Sequence, residues 1–405
     1  MIDRLAEGLE RLGAQALLVV ADRASSDPDM GPWVGSAHLG EAFVVAKSGA
    51  PPALGYWTPM EREEAASTGL RPLAPEELDV ARWSREGGPP SALLASVLAR
   101  GLQLAGVGPG RIALAGHGAS GVALEACARL GAFGWDFVSG NELVRRVRKI
   151  KSAREVAEIR RVAAATREAF ERVAALLAAA ESRAGELHLE GEPLRVERLR
   201  REIARTLAGH GVEQPHGNIV APGEEGGVPH NTGTRERALR AHESLVVDLY
   251  PKGGLFADCT RTFCVGDPPP ALAAAHADVL AALLAAHAAT RAGARGWDLQ
   301  RATCELLAAR GHETPITHPG TVVGYVHGLG HGVGYELHEY PSFRQFVAEE
   351  GLLEVGDVVT LEPGIYRPGP GGFGVRLEDL AVVEADGLAN LTPLPYDLDP
   401  RAWLA

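Results

Sequence analysis

Up to about residue 145 the chain alternates short apolar runs with longer mixed stretches. Ala16-Leu-Leu-Val-Val20, Ala42-Phe-Val-Val-Ala46 and Arg111-Ile-Ala-Leu-Ala115 read as strands, and Ser91–Ala105 and Ala119–Leu130 as helices. That alternation predicts an α/β domain over residues 1–145. A boundary follows near residue 150. Ser152-Ala-Arg-Glu155 has the capping-box form, in which Ser and Glu side chains satisfy the free N–H groups of a helix start. The pattern predicts a long helix from there to about Ala180 and a second over Pro193–Leu207. A strand-turn-strand segment follows at 245–263. The theme then repeats, with helices at about 271–291 and 297–310, a Gly/His-rich stretch, and a closing hairpin at 358–379. A helix pair plus a hairpin, twice, predicts a pseudo-symmetric α+β domain over residues 146–405.

Composition narrows the partners. At 46% hydrophobic and 23% charged residues the chain is an ordinary globular protein of 405 residues. Its net charge of −12 argues against nucleic acid or an anionic membrane as main partner. The basic run Arg145-Arg-Val-Arg-Lys-Ile-Lys151 reads as a solvated linker. Cys127, Cys259, Cys264 and Cys304 form no CxxC pair, which fits a reducing, cytoplasmic setting. No apolar run approaches the roughly 20 residues of a membrane span. The Ala-rich stretch 271–289, interrupted by His276, Asp278 and His287, reads instead as a buried or half-buried helix.

The hairpins carry the chemistry. Folding the first about Lys252-Gly253-Gly254 sets Asp248 opposite Asp258. Folding the second about Pro370 sets Glu362 opposite Glu378. Directly opposed like charges destabilise a sheet, so a cation is expected between them. Between the hairpins lies Val326-His-Gly-Leu-Gly-His-Gly-Val-Gly-Tyr-Glu-Leu-His-Glu339, with histidines at 327, 331 and 338. It is not HExxH. One imidazole added to the carboxylates makes a mixed O/N set suited to Mn²⁺, Co²⁺, Fe²⁺ or Zn²⁺. Because carboxylates bridge, five such side chains can hold two ions roughly 3.5–4 Å apart.

At these motifs the chain resembles the pita-bread metallopeptidases, the family of prolidase (Xaa-Pro dipeptidase), aminopeptidase P and methionine aminopeptidase. The segments are Asp258-Cys-Thr-Arg-Thr-Phe263, His327-Gly-Leu-Gly-His331, Leu361-Glu-Pro-Gly-Ile-Tyr366 and Val375-Arg-Leu-Glu-Asp379. The likeness covers about residues 145–400. The region before it looks like the creatinase-type N-terminal domain of the prolidase and aminopeptidase P branch, which methionine aminopeptidases lack.

The resemblance implies Asp248, Asp258, His331, Glu362 and Glu378 as ligands of two divalent ions, Mn²⁺ first. Asp258 and Glu378 would bridge them, and Glu362 would also shuttle protons. It matches His230 to the histidine near the scissile bond and His327 and His338 to substrate-contacting histidines. Arg376 would contact the substrate carboxylate or hold the carboxylate ligands. The implied activity is Xaa-Pro dipeptidase, with Xaa-Pro aminopeptidase second. A creatinase-like hydrolase of a non-peptide substrate and a non-catalytic peptide-binding module rank lower, and a homodimer is expected. Two departures stand out. The aspartates are ten positions apart, one fewer than the commonest pattern, and Asp248-Leu-Tyr250 replaces Asp-x-Gly. Both bear on the hairpin turn.

Overall fold

The computed structural model describes residues 2–118, 120–345 and 351–404. The chain divides into two compact units, Met1–Arg148 and Lys149–Ala405.

The first unit is built on strands β1 (Ala16–Ala21), β2 (Ala42–Ala46), β3 (Ala53–Tyr56), β4 (Arg71–Leu73), β5 (Arg111–Ala115) and β6 (Asp136–Ser139). They form one mixed sheet in the order β4-β3-β2-β1-β5-β6. β1 shows why its sequence is an unbroken apolar run. Leu17, Val19 and Ala21 enter one core, while Ala16, Leu18 and Val20 enter the core on the other face. Helices α1 (Pro90–Leu104) and α2 (Ser120–Gly131) contribute to the second of these cores through Val97, Leu98, Ala126 and Leu130. The expected start of the latter helix, Ala119, lies outside the described residues.

The second unit opens with α3 (Ala153–Ala178), and its capping box is present in full. The Ser152 N–H donates to Glu155 Oε2 at 2.6 Å, and the Glu155 N–H donates to Ser152 Oγ at 3.3 Å. A small sheet of β7 (Glu181–Arg183), β8 (Glu186–Leu189) and β9 (Glu192–Pro193) leads to α4 (Val196–Gly209). Next come β10 (Ile219–Pro222), β11 (Leu245–Leu249) and β12 (Cys259–Phe263), a three-stranded antiparallel sheet. The second half supplies α5 (Pro270–Ala289), α6 (Gly296–Ala309), β13 (His331–Gly332), β14 (Glu339–Ser342), β15 (Val358–Leu361), β16 (Gly364–Arg367), β17 (Phe373–Arg376), β18 (Asp379–Val383) and β19 (Leu388–Asn390). β14-β13-β15-β18-β19 form one sheet, and β16 and β17 a hairpin.

Two expectations need correction. Asp248 is paired with Thr260, not Asp258. The first hairpin turns one residue later than expected, with Lys252 bridged to Phe256, so every partner moves by two. Asp258 therefore lies diagonally from Asp248 on the same face. The second correction concerns the basic run 145–151, expected to be a solvated linker: Arg148, Lys149 and Lys151 are buried. Helix α5 is, as expected, part-buried, although by length and composition it is long and apolar enough to cross a bilayer. Its alanines make it apolar, while Leu272, Val279 and Leu283 pack into the core of the second half. His276 bonds the Tyr396 carbonyl at 2.8 Å, and Asp278 pairs with Arg310 and His312.

The halves are joined by Arg261, which is fully buried on β12. Its guanidinium donates to Asp379 Oδ1 and the Glu378 carbonyl, both at 2.6 Å, and to the Pro395 carbonyl at 2.9 Å. Removing one partner of such a pair leaves a buried charge uncompensated. Asp379→Ala is expected to cost about 3–5 kcal/mol. Denaturant unfolding should show it as a lower midpoint at unchanged slope.

Candidate metal centre

Thr260 and Glu378 set the two hairpins against each other. The Glu378 N–H donates to the Thr260 carbonyl at 3.0 Å, and Thr260 Oγ1 donates to Glu378 Oε2 at 2.7 Å. In the second hairpin Leu361 pairs with Asp379 and Gly364 with Arg376, so Glu362 and Glu378 hold the matched register between those ladders. His331 enters from β13, where the backbones run close. A Cβ at Gly330 would lie 2.0 Å from the Thr360 carbonyl oxygen, so only glycine fits there.

Three of the five expected ligands group tightly, with Glu362 beside them and Asp248 diagonal to Asp258. Donor atoms of Asp258, His331 and Glu378 lie within 4.8 Å of one another. His331 Nε2 stands 3.6 Å from both Asp258 Oδ2 and Glu362 Oε1, too far for a hydrogen bond. Asp248 is held by Arg376, whose Nη2 donates to its Oδ2 at 2.5 Å. A separate grouping of Asp27, Asp29 and His117 occurs in the first unit. Its carboxylates are already engaged, by the Asp29 and His117 N–H groups and by Arg148.

The cluster fits divalent cations by an observation independent of its spacing. Asp248 Oδ1 and Asp258 Oδ1 are buried with no hydrogen-bond partner, which is costly unless a cation receives them. His331 Nδ1 lies 3.1 Å from the Gly332 carbonyl and donates to it, leaving the Nε2 lone pair facing the carboxylates. Burial, with His338 next, pulls the His331 imidazole down to about 3, so it stays neutral. Burial and neighbouring carboxylates push Asp258 and Glu378 well above their ordinary range. Burial lifts Glu362 to about 8 against the pull of Arg376, with Asp248 adding to the rise.

A carboxyl raised on folding binds more protons folded than unfolded, so its stabilisation is fully present below the unfolded value and is lost as pH rises from there through the folded value. Metal-free protein should therefore lose thermal stability as pH climbs toward about 8. Added Mn²⁺ should raise the melting temperature most at the high end and release protons as it binds. Calorimetry across pH with and without metal reads both effects.

Around this cluster the polar groups interlock. Arg376 Nε donates to Thr260 Oγ1 at 3.1 Å and Nη1 to Tyr366 Oη at 2.8 Å. Tyr366 in turn donates to His327 Nε2 at 2.8 Å, and His327 Nδ1 donates to the Gly328 carbonyl at 2.8 Å. Both His327 nitrogens are thus committed, so it orients the Tyr366–Arg376 chain. The Arg376 guanidinium, only 4% exposed, is spent on Asp248, Thr260 and Tyr366, which favours its role as holder of a ligand. His230 and His338 are exposed instead, and the His338 ring lies edge-on to His331 with centroids 4.2 Å apart. Thr260 and Tyr366 carry no role in the sequence-based reading, although strand alternation places Thr260 on the face of Asp258 and Tyr366 on that of Glu362. Arg376→Met is expected to weaken metal binding about 10–100-fold while the fold persists, measured by titration calorimetry.

The loop that carries His338 is anchored from beneath. Lys151 Nζ donates to Glu339 Oε1 at 2.5 Å, with both side chains at most 1% exposed. Tyr335 Oη donates to Glu155 Oε1 at 2.7 Å. The carbonyl of His327 accepts from Gln300 Nε2 at 3.3 Å.

Residues 157–385 match the model of metallopeptidase family M24, and the chain belongs to that family. It is 29% identical over 267 residues to a probable dipeptidase, PepE, of Mycobacterium bovis, covering 64% of this chain and 63% of that protein. The chain thus spans less than two thirds of that relative's length. Its fold matches the prolidase of Pyrococcus horikoshii OT3 with a TM-score of 0.72 at 20% identity, over 98% of this chain and 99% of that one. It matches the X-Pro aminopeptidase of Thermotoga maritima MSB8 with a TM-score of 0.70 at 21% identity, over the same shares. The architecture is therefore the α+β pita-bread catalytic fold, preceded in sequence by a smaller domain.

Proposed function

We propose that the chain hydrolyses Xaa-Pro peptide bonds with two divalent ions, Mn²⁺ first among them, as an Xaa-Pro dipeptidase. The observation that carries this reading is the grouping of Asp258, His331 and Glu378, with Glu362 3.6 Å from His331, Asp248 diagonal to Asp258, and two buried carboxylate oxygens left unpartnered. The dipeptidase choice leans on the sequence motifs and on the likeness to a protein named a probable dipeptidase.

When bound, the ions acidify water at neutral pH and polarise the scissile carbonyl. The chain's own groups do the rest. Glu362, whose Oε1 lies 3.6 Å from His331 Nε2 at the cluster, takes a proton from the attacking water and returns it to the prolyl nitrogen. His230 and His338, exposed beside the cluster, present ring N–H groups to the carbonyl oxygen as it gains charge. Thr260 and Arg376 hold Glu378 and Asp248 in place. An Xaa-Pro bond has no N–H, so recognition of the ring rests on shape.

Two experiments test this. Glu362→Gln should lower kcat by about 10²–10⁴-fold even at saturating Mn²⁺, with the fold retained by circular dichroism; near-normal turnover would remove Glu362 from its role. Mn²⁺-loaded protein should cleave an Xaa-Pro dipeptide, and a chelated control should not. Efficient cleavage of an Xaa-Pro-Yaa tripeptide would identify an aminopeptidase instead. Inactivity on both, with metal bound, would point to a non-peptide substrate.

A further inference from the structure

A cavity of about 510 Å³ is lined by Arg200, Arg201 and Arg235 together with Glu197, His216 and Asn218. The backbone ties it to the metal ligands. Asn218 directly precedes Ile219, which pairs with Asp248, so the cavity wall continues past the end of the strand that carries this ligand. His216 stacks on Phe256, centroids 5.5 Å apart and planes 8° apart, two residues before Asp258. Tyr250 stands between the two regions, under the charges of Asp248 and Asp258 as well as that of Arg200.

The cavity carries more positive charge than it uses. Arg235 pairs with Glu197 at 2.6 Å. Arg200 gives one Nη2 bond to the Thr232 carbonyl, while its buried Nε has no partner. Arg201 makes no hydrogen bond or ion pair among the described residues. Burial, with the charge of Arg235 next, lowers the Arg200 guanidinium, and the opposing charge of Glu225 does not offset them. Unspent guanidinium donors in a recess suit a carboxylate, which arginine binds in a fork.

Resting on the Xaa-Pro reading, we infer that this cavity receives an acidic side chain of the residue on the amino side of the scissile bond. That residue lies with its scissile carbonyl at the metal cluster. From there its side chain extends past Tyr250 toward the arginines. The enzyme then prefers Glu-Pro and Asp-Pro over neutral and basic dipeptides, through KM more than kcat, because the contact is made equally in ground and transition states.

The test is kcat/KM of the Mn²⁺-loaded full chain on Glu-Pro, Ala-Pro and Lys-Pro, with the tripeptide Ala-Pro-Glu to place the acid on the other side. Glu-Pro should exceed Lys-Pro by at least about tenfold, and added salt should shrink the ratio. The ratio of Glu-Pro to Ala-Pro should fall about tenfold in Arg201→Gln and Arg235→Gln, the loss of one charged hydrogen bond. Arg201 is exposed on α4, so its variant keeps the test sound if Arg235→Gln misfolds. Equal rates on the three dipeptides, a ratio unmoved in the variants, or an acid preference found only in Ala-Pro-Glu would overturn this inference while leaving the Xaa-Pro reading intact. If no Xaa-Pro peptide is cleaved, that reading fails and the inference falls with it.

Discussion

Mutual repulsion among four carboxylates is the constraint on which the catalytic half of the molecule is organised. Two unit charges 4 Å apart near a protein surface repel by about 4 kcal/mol. Asp248, Asp258, Glu362 and Glu378 come from two separate hairpins, and the fold answers their repulsion in three ways. Arg376 brings one buried cation to Asp248. Thr260 gives a hydroxyl proton to Glu378. The remaining charge is left to be neutralised by protons or by metal, as the raised Asp258, Glu362 and Glu378 carboxyls indicate. Arg261 works on the opposite face of the same strand, tying β12 to Asp379 so that repulsion in the site does not part the halves.

Much of this was legible because it rests on periodicities that sequence displays. The capping box of α3, the matched register of Glu362 with Glu378, and the helix pair repeated before each hairpin all follow from local chemistry. The turn of the first hairpin was not legible, since a centre at Gly253 or at Gly254 satisfies the same glycine-rich sequence. Choosing between them moves Asp248 from Asp258 to Thr260. Strand β3 escaped notice because it is only four residues long and broken by Gly55; β4 and β6 did so for a different reason. They lie at the two edges of their sheet, and β6, half exposed along its length, shows no apolar run. Thr260 and Tyr366 sat inside recognised motifs, but their hydroxyls acquire meaning only once two hairpins meet in space.

The histidines divide by exposure into different kinds of work. His327 is locked by hydrogen bonds at both nitrogens, and His331 by one that frees the other nitrogen for a ligand role. Neither has freedom to follow a substrate. His230 and His338, both exposed, do. Their separation puts rigid groups where charge must be held and adaptable ones where a peptide must be admitted.

The ion pair of Lys151 with Glu339 bears on where this unit can be said to begin. Contacts divide the chain at Lys149, and the helix that opens the second unit starts only at Ala153. Lys151 belongs to neither helix nor strand, yet its ammonium is buried against the residue that follows His338. Anyone trimming the gene to an autonomous catalytic fragment at the helix cap would delete three residues of apparent linker, Lys149 to Lys151. With them would go the counter-charge beneath the histidine loop, so the shortest chain that folds is longer than its regular structure suggests.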